Sequence, residues 1–147
     1  MKMLAISSGG GHWTELLRLR PAFDGADVTY VTVRPSYAAD VAGSTFYVIP
    51  DASRWSKLKL LLVAAKLLLI LLRVRPDVVV TTGSSPGYIA LRLAKLMRCR
   101  TVWIDSFANS EELSMSGQMA GRVADLWLTQ WPHLSADGGP DCCGSVF

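Results

Sequence analysis

The sequence is poor in cysteine and histidine, with three residues of the first kind and two of the second among 147. Cys142 and Cys143 are adjacent, which is a poor geometry for a disulfide, and Cys99 stands far from both. No histidine lies near the cysteines at metal-ligand spacing. These shortages argue against a disulfide-rich domain, and we expect reduced thiols, no metal ion and no cofactor.

The N-terminal residues lack an apolar run long enough for a signal peptide. Residues 1–6 are followed at once by a serine- and glycine-rich segment. We therefore expect the bulk of the protein to remain in the cytoplasm.

Charged residues make up only 18% of the chain, whereas hydrophobic residues make up 50% and the mean hydropathy is +0.29. This composition excludes intrinsic disorder and fits one domain of ordinary size. Residues 52–100 hold ten basic residues and one acid, for a net charge of +9, while the remainder carries −6. Such a cationic, leucine-rich block favours an anionic partner, and a membrane surface more than nucleic acid, because leucines rather than aromatics separate the basic residues.

Short apolar segments alternate with helical patterns. Strands are predicted over residues 2–7, 27–33, 45–49, 77–82, 101–105 and 126–129, and helices over 14–19, 53–74, 88–97 and 118–123. Apolar strands separated by helices predict a parallel sheet covered on both faces, hence a single α/β Rossmann-like domain across residues 1–147. Ligands of such sheets bind beyond the carboxyl ends of the strands, which here means the loops 7–13, 82–87 and 106–110.

Two of these loops are rich in small residues. Gly9, Gly10 and Gly11 precede His12, and three glycines allow a ligand to approach backbone amides at a helix N-terminus. The second loop has similar chemistry and contains Gly83, Ser84, Ser85 and Gly87. Each loop alone is equally explained as a tight turn, but two at neighbouring strand ends favour a shared phosphate or diphosphate ligand.

The long helical segment 53–74 is apolar around most of its circumference. Lys59, Lys66 and Arg73 recur every seven residues and form one stripe, and the next helix adds Arg92 and Lys95. The 22 residues would span about 33 Å, but a lysine near the bilayer midplane costs about 2.5–3.5 kcal/mol. An interfacial helix on anionic headgroups avoids this cost, and the alternative is a core helix with a solvated stripe.

Polar residues also follow the later strands. Asp105 stands at a predicted strand end, where a carboxyl suits acid–base chemistry, and Ser106 and Asn109 follow it. The segment Gln130-Trp131-Pro132 is typical of a rigid aromatic stretch, which lies either in the core or on a surface that contacts a partner.

Together these segments resemble the membrane-anchoring subunits of two-part glycosyltransferases that extend polyprenyl-diphosphate-linked sugars. The family pattern GGGHxxEL is matched by residues 9–16, and its RPD strand and glycine loop by residues 75–77 and 83–87. The family's ESxAR…LSLTGK segment is matched by residues 105–109 and 113–118, and its aDxxxvQWpxL segment by 124–125 and 130–134. Asp105, Asn109 and Gln118 depart from the family's Glu, Arg and Lys.

The resemblance implies the N-terminal half of a split GT-B glycosyltransferase. A separate subunit would carry the UDP-sugar site, and this chain would be inactive without it. Eukaryotic members of the family act on dolichol-diphosphate-GlcNAc, and bacterial relatives serve exopolysaccharide and capsule synthesis. The diphosphate acceptor is then expected against residues 9–12 and 83–87, with Ser106 and Asn109 nearby. His12 is expected to deprotonate or orient the acceptor hydroxyl, and Glu15 or Asp105 to orient His12 or the sugar. Gln130, Trp131 and Pro132 are expected to contact the partner.

The resemblance also implies a cellular location for the chain, and two other functions remain open. The family places the chain on the cytoplasmic face of the cell membrane, as a peripheral or monotopic protein on anionic lipids. One alternative is a non-catalytic anchor that recruits the transferase without touching substrate. Another is a stand-alone nucleotide-binding protein, although Asp27 and Asp40 are poorly spaced for a ribose. Nucleic acid is not expected as a partner.

Overall fold

The chain forms one seven-stranded parallel sheet. A computed structural model describes residues 1–52 and 55–147. The strands are β1 (Lys2–Ile6), β2 (Asp27–Thr32), β3 (Thr45–Val48), β4 (Val78–Thr81), β5 (Arg100–Ile104), β6 (Leu126–Thr129) and β7 (Asp141–Cys142), in the spatial order β3-β2-β1-β4-β5-β6-β7. The predicted fold class is confirmed, and the first six strands fall within one residue of their expected bounds; the two-residue β7 has no sequence signal.

Helices cover both faces of this sheet. They are α1 (Gly11–Arg18), α2 (Lys57–Val74), α3 (Ser84–Leu96) and α4 (Met115–Ala120), with 3-10 segments at Arg20–Phe23, Pro35–Val41 and Pro132–Leu134. Trp13 and Leu16 of α1 pack on one face, whereas buried residues of α2, α3 and α4 pack with Leu4, Ile6 and Trp103 on the other. Burial of two apolar faces accounts for strands that are apolar throughout.

The sheet reverses its winding between β1 and β4. β1 pairs with β2 on one side and with β4 on the other, in a register that sets Ile6 opposite Thr81. The loops that follow β1 and β4 therefore leave the sheet side by side. In doubly wound sheets this reversal opens a crevice at the carboxyl ends of the strands, where ligands bind.

Three helices begin three or four residues before their predicted starts. α1 begins at Gly11 instead of residue 14, α3 at Ser84 instead of 88, and α4 at Met115 instead of 118. Glycine, serine and proline resemble loop residues in sequence, yet they suit the first turn, where Pro86 loses no hydrogen bond. Ser114 caps α4 by accepting a hydrogen bond from the Gly117 amide at 2.8 Å.

Helix α2 is shorter than expected. It begins at Lys57, so its 18 residues span about 27 Å, and the predicted start at residue 53 lies outside the described residues. None of the described helices combines the length and apolar character needed to cross a membrane. One face buries Val63, Leu67, Ile70 and Leu71 against the sheet. The opposite face leaves six leucines at least 39% exposed, namely Leu58, Leu61, Leu62, Leu68, Leu69 and Leu72.

The two faces of α2 predict opposite responses to truncation. Leu67 is fully buried, whereas Leu69 is 66% exposed. We expect Leu67→Ala to lower the free energy of unfolding by about 2–5 kcal/mol, because it leaves a cavity beneath the helix. Leu69→Ala is the matched control and should change it by less than about 0.5 kcal/mol. Urea denaturation measures both, and equal losses would show that the exposed face is buried in solution.

Candidate functional site

His12 and Thr82 join the two glycine-containing loops by reciprocal hydrogen bonds. The His12 Nδ1 lies 2.9 Å from the Thr82 carbonyl oxygen, and the Thr82 hydroxyl donates to the His12 carbonyl oxygen at 2.7 Å. Because a carbonyl can only accept, Nδ1 carries the ring proton, and Nε2 of the neutral imidazole keeps its lone pair. His12 borders the cleft described below, so this nitrogen is placed to accept a proton from a bound hydroxyl.

Gly83 makes this junction possible. Its φ is +124°, and a Cβ at this position would lie 2.9 Å from His12 Cε1. Any larger residue would therefore displace the imidazole in addition to straining the backbone.

Glu15 is the carboxylate closest to His12 among the described ion pairs. It is 2% exposed, and its Oε1 accepts hydrogen bonds from the Phe107 amide at 2.7 Å and the Ser106 hydroxyl at 3.0 Å. Oε2 has no hydrogen-bond partner among the described residues and lies 4.0 Å from His12 Nδ1. Burial raises the pKa of the Glu15 carboxyl above its ordinary value of 4.5, while the Phe107 amide opposes that rise. An ionised Glu15 would stabilise a protonated His12.

Asp105 does not have the geometry expected of a catalytic acid or base. It is 1% exposed, and its two oxygens accept hydrogen bonds from Trp103 Nε1, Asn109 Nδ2, and the amide and hydroxyl of Ser114. A Cβ on Gly117 would lie 2.3 Å from Asp105 Oδ1, so helix α4 also closes over it. Four donors and burial occupy the carboxylate, which favours a role of Asp105 in positioning the loop that follows β5, and its catalytic role stays a prediction.

A cleft of about 570 Å³ lies at the carboxyl ends of β1, β4 and β5. His12, Ser84, Ser85, Ser106 and Asn109 all line it, so the structure brings these predicted site residues together. The Ser84 hydroxyl oxygen is buried and has no hydrogen-bond partner among the described residues. The backbone of Ser84, at the start of α3, has a φ of +75°. A strained backbone and an unpartnered hydroxyl beside the free amides of a helix N-terminus favour an anionic ligand.

The glycines of the two loops have different roles. The first amides of α1, at Gly11 and His12, have no intrahelical acceptor and remain available to an anion. The Gly10 amide donates to the Tyr37 hydroxyl at 3.0 Å, so it is already occupied. Gly87 is buried, and a Cβ there would lie 2.1 Å from Thr81 Oγ1. Gly87 therefore lets α3 approach β4 closely, and its role in substrate binding stays a prediction.

Arg34, which sequence reasoning missed, lies over the first glycine loop. A Cβ on Gly9 would be 2.9 Å from Arg34 Nε, so the guanidinium stem crosses directly above the glycine backbone. Arg34 forms no ion pair within residues 1–52 and 55–147. Asp51 was also missed, and it lines the cleft from the loop after β3. Neither residue belongs to a recognisable sequence motif. Arg34 follows β2 and Asp51 follows β3, and only the folded sheet brings these two segments to the site.

The predicted partner-binding segment is largely internal. Gln130 is 4% exposed; its amide donates to the Asp105 carbonyl at 3.0 Å and accepts from the Val146 amide at 3.0 Å. Trp131 is half-buried, stacks on Phe107 and donates to the Phe107 carbonyl at 2.7 Å. Pro132 is exposed. Gln130 is thus bonded within the chain, Pro132 is the exposed member of this segment, and contact of the segment with a partner stays a prediction.

The predicted membrane-binding cations are mostly exposed. Lys59, Lys66 and Arg73 lie on the outer surface of α2, beside its exposed leucines. Arg92 is exposed and donates to the Tyr88 hydroxyl at 3.3 Å. Lys95 forms a partly exposed ion pair with Asp125, and its role in membrane binding stays a prediction. Within the described part of the chain, no group of three or more metal-ligating side chains is assembled.

A comparison with known protein families shows which family the chain belongs to. The model of the family described as "Oligosaccharide biosynthesis protein Alg14 like" matches residues 50–139. The chain belongs to this family. The matched range includes the junction residues Thr82 and Gly83, the Asp105 loop and the Gln130 segment.

Curated relatives of this Alg14-like chain come from fungi. The "UDP-N-acetylglucosamine transferase subunit ALG14" of Eremothecium gossypii is 29% identical over 165 residues, covering 90% of this chain and 74% of the relative. The subunit of the same name from Schizosaccharomyces pombe is 34% identical over 67 residues, covering 41% of this chain and 31% of the relative.

Solved structures share the fold at low sequence identity. MurG of Acinetobacter baumannii superposes with a TM-score of 0.79 at 13% identity, covering 99% of this chain and 46% of that chain. UDP-N-acetylglucosamine 2-epimerase of Rickettsia bellii gives 0.74 at 15% identity, covering 99% and 45%. The Alg14-like chain therefore spans a little under half the length of these enzymes and matches one part of them in fold.

The buried Glu15 carboxyl predicts a pH-dependent effect of Glu15→Gln on stability. Because its folded-state pKa is raised, the folded protein binds more protons than the unfolded chain above pH 4.5, and the free energy of unfolding falls as pH rises from there to the raised pKa. Glu15→Gln lacks this ionisation and keeps an oxygen for the Phe107 amide. We expect the variant to be more stable than the wild type at neutral pH, with a smaller difference near pH 4, in urea denaturation.

Asp125→Asn is a control variant for which the opposite change in stability is expected at neutral pH. The Lys95 ammonium holds the pKa of the Asp125 carboxyl below its ordinary value, so ionisation stabilises the folded state. This variant should lose stability at neutral pH and lose less as the pH falls through the range where Asp125 protonates. A Glu15→Gln variant that is less stable than the wild type at neutral pH would contradict the interpretation of Glu15.

Proposed function

We propose that this chain is the acceptor-binding subunit of a two-part glycosyltransferase. A separate subunit would carry the UDP-sugar site, and the complex would transfer a sugar to a polyprenyl-diphosphate-linked sugar at a membrane surface. The observation that carries the proposal is the His12–Thr82 junction, which directs one imidazole nitrogen and two helix N-termini toward a single cleft. The family match and the names of the fungal transferase subunits support it.

The diphosphate of the acceptor would bind between the N-termini of α1 and α3. The first amides of α1 and the buried Ser84 hydroxyl supply donors, and both helix dipoles favour negative charge there. Arg34, above Gly9, would supply a cation. Arg34 would thereby supply a positive charge that is missing at position 109. Asn109 stands where the family pattern has an arginine, and its side-chain amide donates a hydrogen bond to Asp105.

His12 would act as the general base of the transfer. Nε2 would accept the proton of the acceptor hydroxyl while its oxygen forms a bond to the anomeric carbon of the donor sugar, and the bond from that carbon to UDP breaks. Nδ1 stays bonded to the Thr82 carbonyl throughout, which holds the ring in place. The Glu15 carboxylate, 4.0 Å from Nδ1, would stabilise the imidazolium that forms.

Helix α2 would hold the chain on the cytoplasmic face of the membrane as a peripheral protein. Its exposed leucines would enter the acyl region, and Lys59, Lys66 and Arg73 would lie along their border at the level of anionic headgroups. Leu60 of the same helix lines the cleft, so the site would open next to the lipid surface that delivers the acceptor. A role in exopolysaccharide or capsule synthesis stays an expectation from the family resemblance, since the curated relatives are fungal transferase subunits.

A base role for His12 predicts a defect in the transfer rate. The complex, isolated from native membranes through a tag on this chain, should lose about 100-fold or more in kcat on His12→Ala, with a small change in the acceptor KM. His133→Ala is the matched control, because His133 lies outside the cleft and contacts the Ser110 carbonyl. Unchanged transfer by His12→Ala would overturn the assignment and favour the non-catalytic anchor.

The exposed leucines predict membrane binding that mutation can remove. Replacing Leu61 and Leu69 by serine should lower the fraction bound to phosphatidylglycerol-containing vesicles about tenfold or more in a flotation assay. Leu126→Ser, at an exposed position on β6, should leave binding unchanged. Wild-type protein that ignores anionic vesicles would exclude α2 as a lipid-binding surface.

A further inference from the structure

Phe107, in the loop after β5, connects the candidate site to two further aromatic residues. Its backbone amide donates to Glu15 Oε1 at 2.7 Å, and its carbonyl oxygen accepts from Trp131 Nε1 at 2.7 Å. Its ring stacks on the indole of Trp131 with 4.5 Å between the ring centroids, and its centroid lies 5.2 Å from that of Phe147. Both main-chain polar groups and the side chain of Phe107 are therefore held at once. We call Trp131 and Phe147 the aromatic clamp.

Phe147 is tied back to helix α1, which also carries Glu15. The Arg18 guanidinium carbon lies 3.9 Å from the centroid of the Phe147 ring, and Arg18 Nη1 donates to the Val146 carbonyl oxygen at 2.9 Å. A cation over an aromatic ring and a hydrogen bond from a charged donor both favour this arrangement. Arg18 follows Glu15 by three residues on α1, so the two are neighbours on the helix surface. The contacts thus close into a ring that leaves α1 at Glu15, passes through the two phenylalanines and returns to α1 at Arg18.

The segment that carries Phe147 also shares a buried amide with the loop after β5. Gln130 Oε1 accepts from the Val146 amide at 3.0 Å, and Gln130 Nε2 donates to the Asp105 carbonyl oxygen at 3.0 Å. Gln130 is 4% exposed, so water has little access to either bond. The position of Phe147 and the path of the loop that holds Phe107 are therefore fixed by the same side chain.

The Phe107 amide opposes the effect of burial on Glu15. Glu15 is 2% exposed, and this burial raises the pKa of its carboxyl. Among the groups that lower this pKa, the Phe107 amide has the largest effect, followed by the Ser106 hydroxyl and His12. A hydrogen bond donated to a carboxylate stabilises its charged form. Loss of the Phe107 amide would therefore leave the ionised Glu15 less stable in its buried position.

We infer that Phe107 is a positioning residue for Glu15 and that the aromatic clamp fixes Phe107 in that position. The clamp holds the Phe107 amide against Oε1 of the carboxylate, while Oε2 lies 4.0 Å from His12 Nδ1. The inference rests on the proposed function for what Glu15 does in transfer, and it adds the clamp as a condition for that role. Phe147 is 55% exposed, so its ring can be removed without opening a cavity in the core.

NMR spectroscopy of the full chain tests the clamp. In Phe147→Ala we expect the Phe107 amide to exchange with solvent at least about tenfold faster, because one of the two rings that hold the loop is gone. The pKa of the Glu15 carboxyl, followed through its carbon resonance, should rise above the wild-type value. Phe147→Tyr keeps an aromatic ring and should behave as the wild type in both measurements. Leu96→Ala, at a position 83% exposed on α3, is the control and should change neither.

Trp131→Phe is a second variant that acts on the clamp from its other member. It removes the indole donor and keeps a ring against Phe107, so it should also speed exchange of the Phe107 amide. This variant decides the test if Phe147→Ala fails to fold. Wild-type exchange at Phe107, an unchanged pKa of Glu15, or equally faster exchange along the whole chain would each overturn the inference.

Activity of the tagged complex separates the inference from the proposed function. If Glu15 stabilises the imidazolium of His12, Phe147→Ala should lower kcat about threefold to tenfold with an unchanged acceptor KM, because only the transition state is affected. A Glu15→Gln complex that transfers at the wild-type rate would contradict the proposed role of Glu15 in transfer. Exchange of the Phe107 amide would still decide, in the same protein, whether the clamp holds this amide in place.

Discussion

The site depends on the pair of hydrogen bonds between His12 and Thr82. These two residues are 70 positions apart in the chain, yet the parallel register of β1 and β4 brings their loops together at the reversal of the sheet. The contact fixes three things at once: the proton on Nδ1, the ring orientation above Gly83, and the approach of two helix N-termini to one cleft. A glycine at position 83 is a geometric requirement of this contact.

The second constraint is the division of α2 into a buried and an exposed apolar face. Leucines that face water cost solvation free energy, and a fold covered by its own helices gains nothing from them. Their placement beside three cations supports the proposed contact of α2 with a lipid surface. The cleft meets the same helix at Leu60, so His12 and the apolar surface of α2 border one continuous region of the molecule.

The sequence predicted the strands well because each one is a short apolar run, and burial on both faces leaves little freedom in such a run. It misplaced the helix starts, because Gly11, Ser84 and Pro86 look like loop residues although helix N-termini favour them. It could not separate the roles of Glu15 and Asp105. Glu15 bonds to residues 91 and 92 positions away, and Asp105 is surrounded by donors from a loop and α4, which no local spacing reveals.

The departures from the family pattern at positions 105 and 109 are physically coupled. Asp105 is one methylene shorter than glutamate, and it sits where a Gly117 Cβ would come within 2.3 Å of its oxygen. In that closed space Asn109 donates one hydrogen bond from its uncharged amide to Asp105 at 3.2 Å, whereas an arginine there would need room for a guanidinium. A shorter acid paired with a neutral amide therefore keeps the loop ordered without a cation. Under the proposed function, the positive charge that a diphosphate requires would then come from elsewhere, and Arg34 above Gly9 is the candidate for it.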